Sequence, residues 1–225
     1  MSHAWWAMKP AITPSQGAFL KKLQNKPLFI SRCLTISIFA AYINSHLLKV
    51  IQLHDKHFVP FIPAADIDAA LQRMAKQVQQ DMAGETPVFI GVLNGAFMVV
   101  ADFVKHYTAN CEVSFVKVAS YEGTGSTGAV KQLIGLSQSL AGRSVVIIED
   151  IVDTGNTIEE LTKMFEAQNV KQLKIATLFF KPEAYTKTIA LDYIGFEIPD
   201  KFIVGYGLDY DGLGRNLPEI YQLQH

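Results

Sequence analysis

The stretch Val145–Thr157, VVIIEDIVDTGNT, runs four aliphatic residues into three carboxylates and then into small polar residues around one glycine. The first four are unbroken and mostly β-branched, with no polar alternation, which is the pattern of a strand covered on both faces. Strands of that kind lie in parallel sheets, and such sheets bind ligands at their carboxyl ends. Glu149, Asp150 and Asp153 therefore fall where a ligand is expected, ahead of a helix starting near Thr157.

The residues on either side follow an alternating pattern. Pro63 and Asp66 open a helix whose apolar positions Ile67, Leu71, Met74, Val78 and Met82 recur at spacings of four and three. Gly84 and Pro87 stop it. VFIGVL, Val88–Leu93, reads as a buried strand, and Asn94-Gly95 as a turn into an apolar helix from Ala96 to about Tyr107. Cys111–Tyr121 alternates as a half-covered strand does. After the central motif comes a helix with Ile158, Leu161 and Phe165 on one face, then a strand at Leu173–Phe180. Strands alternating with helices imply an α/β fold with a largely parallel, twisted sheet flanked by helices. The Gly-, Pro- and aromatic-rich end, from about 182 to 225, is read as short strands and loops forming a small hood.

A chain of 225 residues, 49% hydrophobic and 18% charged, is long enough for one α/β domain with some addition. Its net charge of −1 predicts no broad basic surface, so no nucleic-acid partner is expected. Two cysteines, Cys33 and Cys111, make neither a disulfide framework nor a zinc motif, and the chain is read as cytoplasmic. Residues 1–48 stand apart as an N-terminal extension, with the folded domain expected over 49–225. Leu28–Leu48 follows Lys21, Lys22 and Lys26 as the apolar part of a targeting signal follows its basic part. Arg32 and Asn44 interrupt it, which argues against a spanning helix, and no membrane contact is expected for the core domain. A loose extension, a targeting role and an added helix all remain open for this segment.

Two loops carry the letters of phosphate sites. GTGSTG, Gly123–Gly128, matches G-x-G-x-x-G, with Glu149 and Asp150 about where a dinucleotide fold places its acid. That fold needs a helix starting in the loop, and AVKQLIGLSQSL, with Gly135 and its serines, is a poor helix former. A flexible lid is the expectation. The second loop, Asp153-Thr-Gly-Asn-Thr157, sets backbone N–H groups and hydroxyls at a helix N-terminus, where the helix dipole favours an anion. Glu149 and Asp150 before it are acceptors suited to vicinal hydroxyls or hydrated Mg²⁺. A phosphorylated ribose fits both halves, whereas simple helix capping by Asp or Thr is the structural alternative.

VVIIEDIVDTGNT closely resembles the ribose-5-phosphate motif of type I phosphoribosyltransferases. L-N-G-A-F at 93–97, S-Y at 120–121, K-P at 181–182 and FEIPDKFIVGYGLDYDGLGRNL at 196–217 resemble the hypoxanthine-guanine branch. The resemblance spans about Val50 to Tyr221. It implies the type I fold and the transfer of a phosphoribosyl group from phosphoribosyl pyrophosphate (PRPP) to N9 of a 6-oxopurine.

The resemblance also implies roles. Asp153 is the catalytic base, Glu149 and Asp150 hold the ribose hydroxyls, and Thr154, Gly155, Asn156 and Thr157 hold the 5′-phosphate. Asn94, Gly95 and Arg215 contact pyrophosphate. Lys181 donates to the 6-oxo oxygen, Phe202 stacks on the base and the Ile203 backbone reads its edge. Ser120 and Tyr121 head the lid. Asp209, with Glu149 and Asp150, serves Mg²⁺, and the assembly implied is a homodimer or homotetramer. Where some members carry lysine or serine in the first loop, this chain has Asn94-Gly-Ala96. Two other functions compete on the same fold. A regulatory RNA-binding protein needs a basic face that 20 Lys+Arg against 21 Asp+Glu do not suggest. A transferase for xanthine or a pyrimidine fits the hood less well than one for a 6-oxopurine.

Overall fold

In the computed structural model, which describes residues 50–119, 131–134 and 139–224, the aliphatic run of the central motif belongs to a nine-residue strand, Ser144–Val152. In chain order the elements are β1 (Ile51–Leu53), β2 (Lys56–Ile62), α1 (Ala64–Asp81), β3 (Val88–Leu93), α2 (Phe97–His106), β4 (Glu112–Ala119) and β5 (Lys131–Ile134). They continue with β6 (Ser144–Val152), α2's counterpart on the other face α3 (Asn156–Glu166), β7 (Gln172–Phe180), β8 (Tyr193–Glu197), β9 (Ile203–Val204) and β10 (Ile220–Leu223). A six-stranded sheet has the order β5-β4-β3-β6-β7-β8. Neighbours from β4 to β8 are parallel, and β5 is antiparallel to β4.

The missing polar alternation in β6 has a direct cause. Val146 and Ile148 join a cluster with Ile67, Leu71, Met74 and Val78 of α1 and Val99, Val100 and Phe103 of α2. Val145 and Ile147 join the opposite cluster with Ile158, Leu161 and Phe165 of α3. Helices cover both faces, so each strand position meets apolar surface. A fully buried aliphatic side chain contributes about 1.5–3 kcal/mol relative to exposure. The four-and-three spacing of α1 is the stripe that it buries: Ile67, Leu71, Met74 and Val78 are fully enclosed. Pro63 stands at its N-cap position.

The acidic pair Glu149 and Asp150 lies in β6, near the end of the strand, which runs on to Val152. Two features differ from the sequence reading. Within the segment of low helix propensity, Lys131–Ile134 pairs as the antiparallel edge strand β5. The hood is not built from 182–225 alone. Its sheet has the order β1-β2-β10-β9, drawing two strands from before α1, while β8 belongs to the main sheet. Phe58 of β2, Val204 of β9 and Tyr221 of β10 close its own small core. The expected lid residues Ser120 and Tyr121, the loop Gly123–Gly128 and the extension over 1–48 lie outside the described residues. Among the described residues, no helix is long and apolar enough to cross a membrane.

Candidate active site

The strand order reverses between β3 and β6, since β4 lies beyond β3 on one side and β7 beyond β6 on the other. Loops leaving two such strands part in opposite directions and open a crevice at their carboxyl ends. The β3 loop carries Asn94 and Gly95, and the β6 loop carries Asp153–Thr157. Gly91 of β3 is level with Ile148 of β6, so the residues beyond them meet at the crevice. A β-carbon placed on Gly95 would stand 1.6 Å from Oδ2 of Asp150. Only glycine permits that approach. The peptide Leu93–Asn94 leading into it is cis.

The 205–215 turn reaches the same point. Gly207, at φ 99°, lies against the carbonyl of Gly95, which a β-carbon there would meet at 2.0 Å. Arg215 Nη1 donates to the Gly207 carbonyl at 2.7 Å, and its Nη2 pairs with Asp209 Oδ1 at 2.6 Å. Asp209 Oδ2 accepts the Gly212 N–H at 2.7 Å. Asn94, Gly95, Asp150, Asp209 and Arg215, spread over more than half the chain, are thus brought to one place.

The two acids are buried, at 7% exposure for Glu149 and 8% for Asp150. Burial pushes the Asp150 carboxyl up from 3.8 to about 6, against partial relief from the Asp150 and Ile151 backbone N–H groups and from the Arg215 cation. Burial, and then the neighbouring Asp150, push Glu149 well above the usual carboxylate range. Glu149 Oε2 is buried with no hydrogen-bond partner among the described residues. A buried unsatisfied acceptor is costly, and it marks a place where an incoming donor or cation is favoured.

Helix α3 begins behind a left-handed Gly155, at φ 86°, and no side chain caps it. The capping alternative for Asp153 and Thr154 is therefore not what this loop does. Its first N–H groups remain available to an anion, with the helix dipole behind them. The wall is formed by Tyr185 and Lys187, whose atoms a β-carbon on Gly155 would meet at 2.4 and 2.8 Å.

Further along the sheet edge, Lys181 follows β7 and donates its N–H to the Val152 carbonyl at 3.0 Å. Its side chain is 9% exposed, and Nζ donates to Asp153 Oδ2 and Asp200 Oδ1, each at 3.0 Å. Although burial opposes the charge, hydrogen bonds to Asp200 and Asp153 hold the ammonium above the usual lysine range. Phe202 is 45% exposed, its ring held by Phe58 at 6.3 Å and Tyr210 at 5.8 Å between centroids. Ile203 is buried in β9, the edge strand of the hood sheet.

The fold and this crevice have counterparts among known proteins. Residues 64–211 match the model of the phosphoribosyl transferase domain. The chain belongs to the phosphoribosyltransferase family. Hypoxanthine-guanine phosphoribosyltransferases of Streptococcus pneumoniae and Streptococcus thermophilus are 41% and 42% identical to it over 156 residues, 69% of this chain and 87% of theirs. A solved hypoxanthine-guanine phosphoribosyltransferase of Bacillus anthracis superposes with a TM-score of 0.70 at 36% identity, over 73% of this chain and 98% of that one. A hypoxanthine phosphoribosyltransferase of Trypanosoma cruzi gives 0.71 at 31% identity, over 77% of this chain and 95% of its own. This phosphoribosyltransferase is an enzyme of the pentosyltransferase class.

Sequence reasoning missed several residues that shape the site. Asp200, the second partner of Lys181, lies in the quoted hood motif, where no signal separates it from any other turn acid. Gly207 could have been suspected from its spacing with Gly205, yet its neighbour Gly95 could not. Tyr206, at 6% exposure, donates its hydroxyl to Asp102 of α2, and nothing local in either segment announces that pairing.

Proposed function

We propose that this phosphoribosyltransferase acts in purine salvage, moving the 5-phosphoribosyl group from PRPP to N9 of hypoxanthine or guanine. The products are the nucleoside monophosphate and pyrophosphate. The observation that carries this reading is the pair Asp153 and Lys181, an acceptor and a donor at the ends of neighbouring strands. A 6-oxopurine presents a complementary edge, with an oxygen at position 6 beside an imidazole N–H. Lys181 donates to the oxygen and Asp153 accepts the imidazole proton. N9 then bonds to C1′ as the bond from C1′ to the pyrophosphate oxygen breaks, and the electron pair leaves with pyrophosphate. Adenine carries an amino donor at position 6, which leaves the Lys181 ammonium facing another donor. The names of the matched relatives support the same substrates.

Phe202 stacks on the base, and the Ile203 backbone reads its edge. Glu149 and Asp150 take the ribose hydroxyls, and Thr154, Gly155, Asn156 and Thr157 take the 5′-phosphate at the α3 N-terminus. Asn94, Gly95 and Arg215 receive pyrophosphate, with charge stabilised as it develops on the leaving oxygen. The orphaned Glu149 Oε2 and the carboxylates of Asp150 and Asp209 are hard oxygen donors that fit Mg²⁺. Such a cation would bind through one or two of these carboxylates together with substrate phosphates, since among the described residues no cluster of three His, Cys, Asp or Glu would hold it alone. Bound there, it would neutralise charge on the pyrophosphate. A homodimer or homotetramer and a cytoplasmic location complete the proposal.

The test is pyrophosphate release from PRPP and Mg²⁺ with hypoxanthine, guanine, xanthine or adenine supplied singly. Rapid release with hypoxanthine or guanine alone is expected. Release with adenine alone, or no release with any base from folded protein, overturns the reading.

A further inference from the structure

Lys181 is held by two carboxylates, and only one of them has a chemical task in the proposed reaction. We infer that Asp200 is the positioning residue that fixes the Lys181 ammonium relative to the base-stacking ring, and through it the choice of 6-oxopurines over 6-aminopurines. The inference rests on the proposed reaction and deepens it.

An ammonium has three donors. Asp153 and Asp200 engage two of them at equal length, 3.0 Å, which leaves the third for an incoming oxygen. With Asp153 alone, the buried Nζ would be free to rotate about one contact, and the direction of its vacant donor would not be set. Asp200 is suited to set it because of where the chain puts it. Ile198 N–H donates to the Phe180 carbonyl at 2.8 Å, directly before Lys181 in the chain. Lys201 N–H then closes a tight turn onto the Pro199 carbonyl at 2.7 Å. Asp200 sits at the centre of that turn, two residues before Phe202. The donor that reads position 6 and the ring that carries the base are therefore joined through one short, hydrogen-bonded segment.

The contact also gives Asp153 room to act. When Asp153 accepts the substrate proton its charge is neutralised, and the Lys181 ammonium then depends on Asp200 as its remaining anionic partner. Hydrogen bonding to Asp200 is the first of the influences that sustain the Lys181 charge against burial. Asp200 itself is 58% exposed while its Lys181 partner is 9% exposed, so losing Asp200 leaves a buried ammonium with one partner fewer. A merely structural role would lower stability alone, whereas a positioning role changes the KM for the base.

The experiment uses the full chain with Asp200→Ala and Asp200→Asn. Initial rates are measured with hypoxanthine varied at saturating PRPP, with PRPP varied at saturating hypoxanthine, and with adenine as the alternative base. Asp200→Ala is expected to raise the KM for hypoxanthine about tenfold or more, to keep the KM for PRPP within about twofold, and to narrow the preference for hypoxanthine over adenine. Asp200→Asn, which retains an uncharged acceptor, is expected to fall between the two. An unchanged KM for hypoxanthine in both variants, or a parallel rise in both KM values, overturns the role. If Asp200→Ala does not fold, Asp200→Asn alone decides between these outcomes. Failure of the unmodified protein to use any 6-oxopurine would remove the reaction itself, and this is read before either variant.

Discussion

The carbonyl of Gly95 and the α-carbon of Gly207 are in contact, although 111 positions of chain separate the loop after β3 from the turn before Arg215. The two glycines let this side of the crevice, proposed to receive pyrophosphate, be lined by backbone instead of side chains. Gly207→Ala is expected to force the two segments apart. It should raise the KM for PRPP at least about tenfold, with a smaller effect on the KM for the base. Steady-state kinetics with each substrate varied in turn check this, and equal effects on both would count against it.

Gly95→Ala makes a different collision, with the Asp150 carboxylate instead of a carbonyl. A side chain can rotate away more easily than backbone can shift, so the protein should remain folded while Asp150 leaves its position. Loss of PRPP binding by calorimetry, with a melting temperature lowered by no more than about 5 °C, is the expected result. Retained PRPP affinity would show that Asp150 does not need its present place.

Asp153→Asn keeps the shape of the contact with Lys181 but removes the acceptor charge. Turnover is expected to fall by about two to four orders of magnitude, the range of general-base contributions. PRPP binding should survive, since the 5′-phosphate loop is untouched. Unchanged turnover would eliminate Asp153 as the base.

Burial of Asp150 gives stability a pH dependence with a definite sign. Its carboxyl titrates at about 6 in the fold, above its ordinary 3.8. As pH rises between those values the unfolded chain loses the proton and the folded chain keeps it. The contribution is therefore fully present below 3.8 and is lost as pH rises through about 6. Glu149 shifts in the same direction. Asp150→Asn removes the Asp150 part. Relative to the unmodified protein, the variant should gain up to about 3 kcal/mol of unfolding free energy between acid and neutral pH, while losing PRPP affinity. Urea unfolding of both proteins across that range is the measurement, and a difference that does not vary with pH would contradict it.

What could be read from the sequence was local. VVIIEDIVDTGNT announces its own strand, its acids and the turn into a helix because burial on two faces and a left-handed glycine leave marks within thirteen consecutive residues. The α1 stripe is legible for the same reason. The hairpin of β1 and β2 was not anticipated, because Lys56–Ile62 contains a proline and its partner β10 lies near the far end of the chain. Asp200 was hidden differently. A turn acid has the same letters whether it faces water or a buried ammonium, and only the proximity of Lys181 distinguishes the two. Gly95 and Gly207 likewise take their meaning from each other.

The hood sheet sets an order of events in the life of the chain. β2 is among the first described elements to leave the ribosome, and β10, which lies between β2 and β9, is the last. Until β10 emerges, β2 and β9 have no shared partner, and the ring of Phe202 is carried by an unanchored segment. The main sheet can assemble earlier, from β3 through β8. A nascent chain should therefore acquire the half of its crevice proposed to grip the sugar phosphate before the half proposed to select a nucleobase, and bringing β10 back to β2 closes a long stretch of chain at an entropic cost.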